Sequence, residues 1–174
     1  VCPAIRDGWF GDEYGAKGDR FVNGMPSLSP GFEIVDAPEG TKSFAVIFDD
    51  YDACSASGFL WVHWMISDLR GTSVEEGASH NDPPFTEGAN SWFSALGDLD
   101  REKATGYGGP APPNGTHRYT LKVFALDTGV GPPPRVQAQR PLLRDGRAHH
   151  RPLQDDREVQ HRMTFSRMSG GIAG

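Results

Sequence analysis

Long apolar runs are missing from this 174-residue chain. No stretch approaches the roughly 20 consecutive apolar residues that a membrane-crossing helix needs. The first residues also lack the basic-then-apolar pattern of a signal peptide. Cysteine is scarce, at Cys2 and Cys54, and no CxxC pair or His/Cys cluster suggests structural zinc. A chain of this size can build a core without a staple. Both thiols are therefore expected to be free, in a reducing, cytoplasmic setting. The chain opens on Val1 and not Met, which leaves processing, trimming or a fragment open. Lysine is scarce as well. All four lie before Pro134, whereas eight of the thirteen arginines follow it. Up to Pro134 there are 19 acids against 9 bases, and beyond it 4 against 8. So acidic a body repels polyanions, and nucleic acid is not expected as a partner.

Turn formers are plentiful. Gly and Pro number 22 and 14, a fifth of the chain, which favours short elements joined by tight turns over long helices. Phe32–Val35 reads as a short strand, and Ser43–Phe48 (SFAVIF) as a buried one. Phe59–Ile66 (FLWVHWMI) has the aromatic and branched content of another, ended by Asp68 and Gly71. In Arg118–Leu126, Tyr119, Leu121, Val123 and Ala125 alternate with Arg118, Thr120 and Lys122, giving one buried face. Residues 71–113 carry many turn residues and little periodicity, and so long an irregular stretch is usually functional or flexible. Strands without regular intervening helices predict a mainly β, antiparallel sandwich or barrel.

Three local features carry chemistry: FDDYDA at 48–53, WVHW at 61–64 and GPAPPNGTHRY at 109–119. Carboxylates at one strand end and histidines on neighbouring strands can converge on one rim. Imidazoles and backbone N–H groups suit phosphate or carboxylate oxygens, and an aspartate can fix a histidine's tautomer. Taken singly, a histidine in an apolar strand is more often a core residue, and an aspartate after a strand a turn former.

Together and in this order, the three segments resemble the phosphatidylethanolamine-binding protein family. They are closest to its bacterial branch, often described as Raf-kinase-inhibitor-like. There a DPDAP-type strand end, a W-x-HW-type strand and a GPxPPxGxHRY motif follow one another. The resemblance runs from about Ile5 to Asp127 and implies a β-sandwich with a small anion pocket. Its matched pocket residues are Asp50, His63, Gly109, Pro110, His117 and Tyr119. The resemblance makes His63 and His117 donors to the anion, Asp50 the orienting carboxylate and Tyr119 a wall with a polar tip. Asp52 and Arg118 are expected to brace loops. Tyr51 and Cys54 stand where the family usually has prolines, a departure that bears on loop stiffness beside Asp50.

Beyond Asp127 that resemblance vanishes, and 1–134 reads as the domain and 135–174 as an atypical basic tail without a steady apolar period. With permitted codons, Arg135–Met163 read one nucleotide later gives GSKLNDLYFAMAGHIIDRFKMTGKYNTE and then a stop. That string resembles the family's closing helix, Gly-His and final strand, so the tail is expected to be a frame-shifted C-terminus that packs poorly.

The functional expectation is a binding module for a small anion such as a phosphate head group, with no catalysis and no cofactor. One alternative is a metal-dependent hydrolase using Asp50, His63 and His117 as ligands. The other is an interaction protein of the kinase- or protease-inhibitor kind, using the 71–113 loops on a protein partner.

Overall fold

The computed structural model describes residues 1–129 and the backbone of 159–169. Its strands are β1 (Ile5–Arg6), β2 (Trp9–Phe10), β3 (Phe21–Val22), β4 (Met25–Pro26), β5 (Phe32–Glu33), β6 (Ser43–Asp50), β7 (Trp61–Leu69), β8 (Ser73–Val74), β9 (Thr86–Glu87), β10 (Thr116–Leu126) and β11 (Val159–Ser169). A single helical turn, α1 (Cys54–Ser57), follows β6. Strands β11, β10, β6, β7 and β9 lie in that order in one antiparallel sheet. The short strands pair as β1–β2, β3–β4 and β5–β8, also antiparallel.

The expected alternation builds the core. On β10, Tyr119, Leu121 and Val123 point inward, and on β6 Phe44, Val46 and Phe48 do the same. Phe10, Tyr14, Phe32, Ile34 and Val74, from the short ribbons and connections, cover that face in one cluster with Trp64, Ile66 and Tyr107. Each such aliphatic or aromatic side chain contributes about 1.5–3 kcal/mol on full burial. Phe48 is central, with the rings of Phe10, His63, Tyr107 and Tyr119 all within 6.3 Å of its own. Among the described residues no helix is long and apolar enough to cross a membrane.

Element bounds differ from the sequence reading in two places. The strand expected over Phe59–Ile66 is Trp61–Leu69, because Gly58 takes a left-handed conformation (φ 81°) that closes α1 and delays the strand. The strand expected over Phe32–Val35 keeps only Phe32 and Glu33, the two residues that find partners on β8. Within the tail, where the sequence predicted no regular element, Val159–Ser169 forms β11 along β10 from Ala125 back to Thr116. The outer edge of β10 offers a row of N–H and C=O groups that an extended segment of almost any sequence can satisfy. Residues 130–158 lie outside the described residues, and with them most of the stretch read as frame-shifted.

Candidate functional site

The carboxyl end of β6 presents three acids to β10. Asp49, almost fully buried, pairs with Lys122. Asp50 accepts the Ala53 N–H on Oδ1 at 3.0 Å and meets His117 Nδ1 with Oδ2 at 2.7 Å. The first bond closes the turn into α1, which therefore forms with Tyr51 and Cys54 in place of prolines. A carboxylate only accepts, so His117 Nδ1 carries a proton and donates in this hydrogen bond. The other nitrogen, Nε2, lies 3.1 Å from Asn114 Oδ1. Asp52 receives the Arg118 backbone N–H at 2.8 Å and its guanidinium at 3.0 and 3.1 Å. These bonds to Arg118 hold the Asp52 carboxyl below its ordinary pKa and tie the 50–53 turn to the start of β10.

His63 arrives differently. Phe48 pairs with Trp64 and Asp49 with Val62, leaving His63 as the extra residue of a β-bulge. Neighbours in a strand ordinarily face opposite sides, yet His63 and Trp64 are both buried. The bulge turns the imidazole onto Phe48 and Tyr119, each with its ring centre 5.5 Å away. Gly108 then clamps it, since His63 Nδ1 donates to the Gly108 carbonyl at 2.7 Å and Gly108 N donates to the His63 carbonyl at 2.9 Å. Burial lowers the His63 pKa, against the opposing pull of that carbonyl and of Asp50 and Asp49, so the ring is neutral.

Asp50, His63 and His117 line one cavity of about 240 Å³. Ala53, Ala56 and Ser57 supply the α1 side, Trp61, Trp92 and Leu96 an aromatic and apolar wall, and Ala111–Pro113 the remainder. Asn90 sets Trp92, its Oδ1 accepting the Trp92 N–H at 2.9 Å and its Nδ2 donating to the Gly106 carbonyl at 2.9 Å. The indole packs edge-on to Trp61 with centroids 6.0 Å apart.

The other three residues matched by resemblance do not line the cavity. Gly109 donates its N–H to the Pro26 carbonyl at 2.8 Å, and a Cβ there would collide with the Tyr14 carbonyl. Pro110, buried, accepts from Ala16 N at 2.8 Å. Both pack the loop that carries Gly108. Tyr119 lies behind the two imidazoles, with its hydroxyl buried and unpartnered. Burial first, then the charges of Asp50 and Asp52, push its pKa up, so the phenol keeps its proton. The expected wall is thus formed by Trp61 and Trp92, because the alternation of β10 turns Tyr119 into the core.

The donor role expected of His63 is also corrected. A carbonyl can only accept, so Nδ1 holds the ring proton and the unpartnered Nε2 of the neutral ring is a lone pair. Among the described residues, no three His, Cys, Asp or Glu side chains are grouped to hold a metal ion. Of the residues in the hydrolase alternative, Asp50 is directed at His117, and His63 holds Gly108 through Nδ1. Both Cys2 and Cys54 are free.

Sequence reasoning missed Gly108 and Trp92. A residue whose carbonyl fixes a tautomer carries no side-chain signal, and Trp92 stands in the irregular 71–113 stretch without a motif around it.

Comparison with known proteins agrees with this architecture. E. coli YbcL, described as a new member of the mammalian PEBP family, superposes with a TM-score of 0.58 at 28% identity, covering 76% of this chain and 78% of that one. The uncharacterized protein YxkA of Bacillus subtilis (strain 168) is 35% identical over 122 residues, 67% of this chain and 73% of its own. A UPF0098 protein of Aquifex aeolicus (strain VF5) is 37% identical over 110 residues, 62% of this chain and 59% of its own. The phosphatidylethanolamine-binding protein family model matches residues 4–150, farther than the motifs alone reach. On its sheet, its motifs and that match, the chain belongs to the phosphatidylethanolamine-binding protein family.

Proposed function

We propose that this chain is a binding module for a small oxyanion, of the size of a phosphate head group, and that it performs no chemistry on it. The observation that carries this reading is the meeting of Asp50, His63 and His117 on one small cavity. Asp50 keeps His117 oriented, and the apolar walls lower the local dielectric and strengthen each polar contact made inside. The lining side chains include no cysteine, and the hydroxyl of Ser57 is engaged with the Ala53 and Phe59 carbonyls. Among the described residues, that leaves the cavity without an activated thiol or hydroxyl nucleophile. Calorimetric titration with inorganic phosphate is expected to give saturable 1:1 binding that His117→Asn weakens. Absence of binding by the folded wild-type chain would overturn the proposal.

A protein-partner role has one observation in its favour. Phe93 and Leu96 lie exposed within the 71–113 loops, and Leu96 also lines the cavity. Capture of a partner that Phe93→Ser abolishes and His117→Asn leaves intact would favour it.

For the tail we keep the frame-shifted reading, supported by the continuous family-like string in the next frame. The coding DNA decides it, since a next frame lacking those codons ends the idea.

A further inference from the structure

Asparagine is chemically labile, most of all before glycine, where no side chain keeps the next backbone nitrogen off the carboxamide. The chain has four asparagines and two such pairs, Asn23–Gly24 and Asn114–Gly115. They are held differently. Asn23–Gly24 is the two-residue turn of the β3–β4 hairpin, closed by the Val22–Met25 pair, and Asn23 Nδ2 donates to the Lys103 carbonyl at 3.2 Å. Asn114 and Gly115 lie exposed in the bend that leads into β10. Gly115 takes φ 57°, and a Cβ on it would meet nothing within 4 Å. Asn114 is nevertheless more than a surface residue. Its Oδ1 lies 3.1 Å from His117 Nε2, while Asp50 holds the other nitrogen of the same ring.

We infer that Asn114 is a site of self-modification, in which deamidation replaces its carboxamide by a carboxylate set against His117. The Gly115 nitrogen attacks Asn114 Cγ and closes a cyclic imide. The Cγ–Nδ2 bond breaks, and Nδ2 leaves as ammonia with the proton of the Gly115 N–H. Water then opens the imide at one of its two carbonyls, giving aspartate or isoaspartate, each with a new carboxylate. One water is consumed, one ammonia is released, and nothing is oxidised or reduced. The aspartate form puts a charged oxygen where Oδ1 now lies. An amide can turn either Oδ1 or Nδ2 to the ring, and so serves Nε2 with or without a proton. A carboxylate only accepts, so it serves Nε2 only while the proton is there. Between Asp50 and that carboxylate, His117 is held as the imidazolium. The other described groups around the ring are Asp52 with its partner Arg118, His63 of β7 and Tyr119 of β10. Deamidation thus turns a ring with two available charge states into a fixed cation at the cavity.

Ageing of the folded, full-length chain in mildly alkaline buffer, followed by peptide mass mapping, tests the reaction. Asn114 is expected to gain one dalton ahead of Asn23, with Asn81 and Asn90 unchanged. Asn114→Gln, whose imide needs a larger ring, should abolish the gain at this position. Asn114→Asp supplies the aspartate product directly. In ring-nitrogen NMR, its His117 should keep the Nε2 proton to a pH higher than in wild type by about one unit or more. A folded chain in which Asn23 converts while Asn114 stays intact would overturn the modification. An unshifted His117 titration in folded Asn114→Asp would overturn its consequence. Neither readout uses a ligand, so failure of the oxyanion reading would leave this inference standing, and the reverse holds too.

Discussion

The two sides of the cavity are finished to different degrees. On the β6–β10 side, Asp49, Asp50 and Asp52 are matched one for one by Lys122, His117 and Arg118, and only the Tyr119 hydroxyl, behind the imidazoles, is buried without a partner among the described residues. On the β7 side, His63 and Trp92 each end in a buried nitrogen without a partner among the described residues. A satisfied network fixes geometry, whereas an unsatisfied donor and acceptor mark where a guest completes the structure. Under the proposed function, the β6–β10 side serves mainly as scaffold and the β7 side as recognition.

Substitution of the two histidines separates the sides most strongly. His117→Phe strands the buried Asp50 carboxylate and should cost about 3–5 kcal/mol in urea unfolding. His63→Phe gives up one hydrogen bond to Gly108 but also removes an unsatisfied nitrogen, and should cost only about 1 kcal/mol. Equal costs would erase the distinction. Gly108→Ala comes between them, at about 2 kcal/mol, because its methyl would press on Asn90 Nδ2 and Trp92 Cδ1, both 2.8 Å away. Trp92 fluorescence should shift with it, and an unchanged spectrum would remove Gly108 from the recognition side.

Acid sharpens the comparison. His63 titrates below its ordinary value of 6.5 in the folded chain, so below that pH the unfolded state binds a proton that the native state does not. Stability should fall as pH drops through and beneath 6.5, by at most about 1.4 kcal/mol per unit from this residue. The slope should be shallower in His63→Phe. A matching slope in the two proteins would mean that another group governs the acid limb. The smallest effect is expected at the rim, where Arg118→Ala removes an exposed ion pair and should leave the unfolding midpoint nearly unchanged.

Much of this was legible in the residues. The alternation of β10 and the apolar run of β6 gave strands and an inward face, and the resemblance made Asp50 an orienting carboxylate, which the structure pairs with His117. What stayed hidden has physical reasons. The bulge at His63 is a register property between two strands, invisible along either one. The hydrogen-bond roles of His63 depend on a backbone carbonyl 45 residues away, so its donor assignment failed while its place on the cavity did not. Gly109 and Pro110 belong to the motif through packing against Tyr14, Pro26 and Ala16, which no pattern of residue types separates from ligand contact.

Ring-nitrogen NMR of histidine-labelled protein, followed through a titration with methyl phosphate, asks the decisive question in one experiment. The account predicts a neutral His63 protonated on Nδ1 throughout, with the Nε2 resonance moving to a saturable end point and His117 shifting alongside it. Rings that stay unmoved to saturating ligand would contradict it.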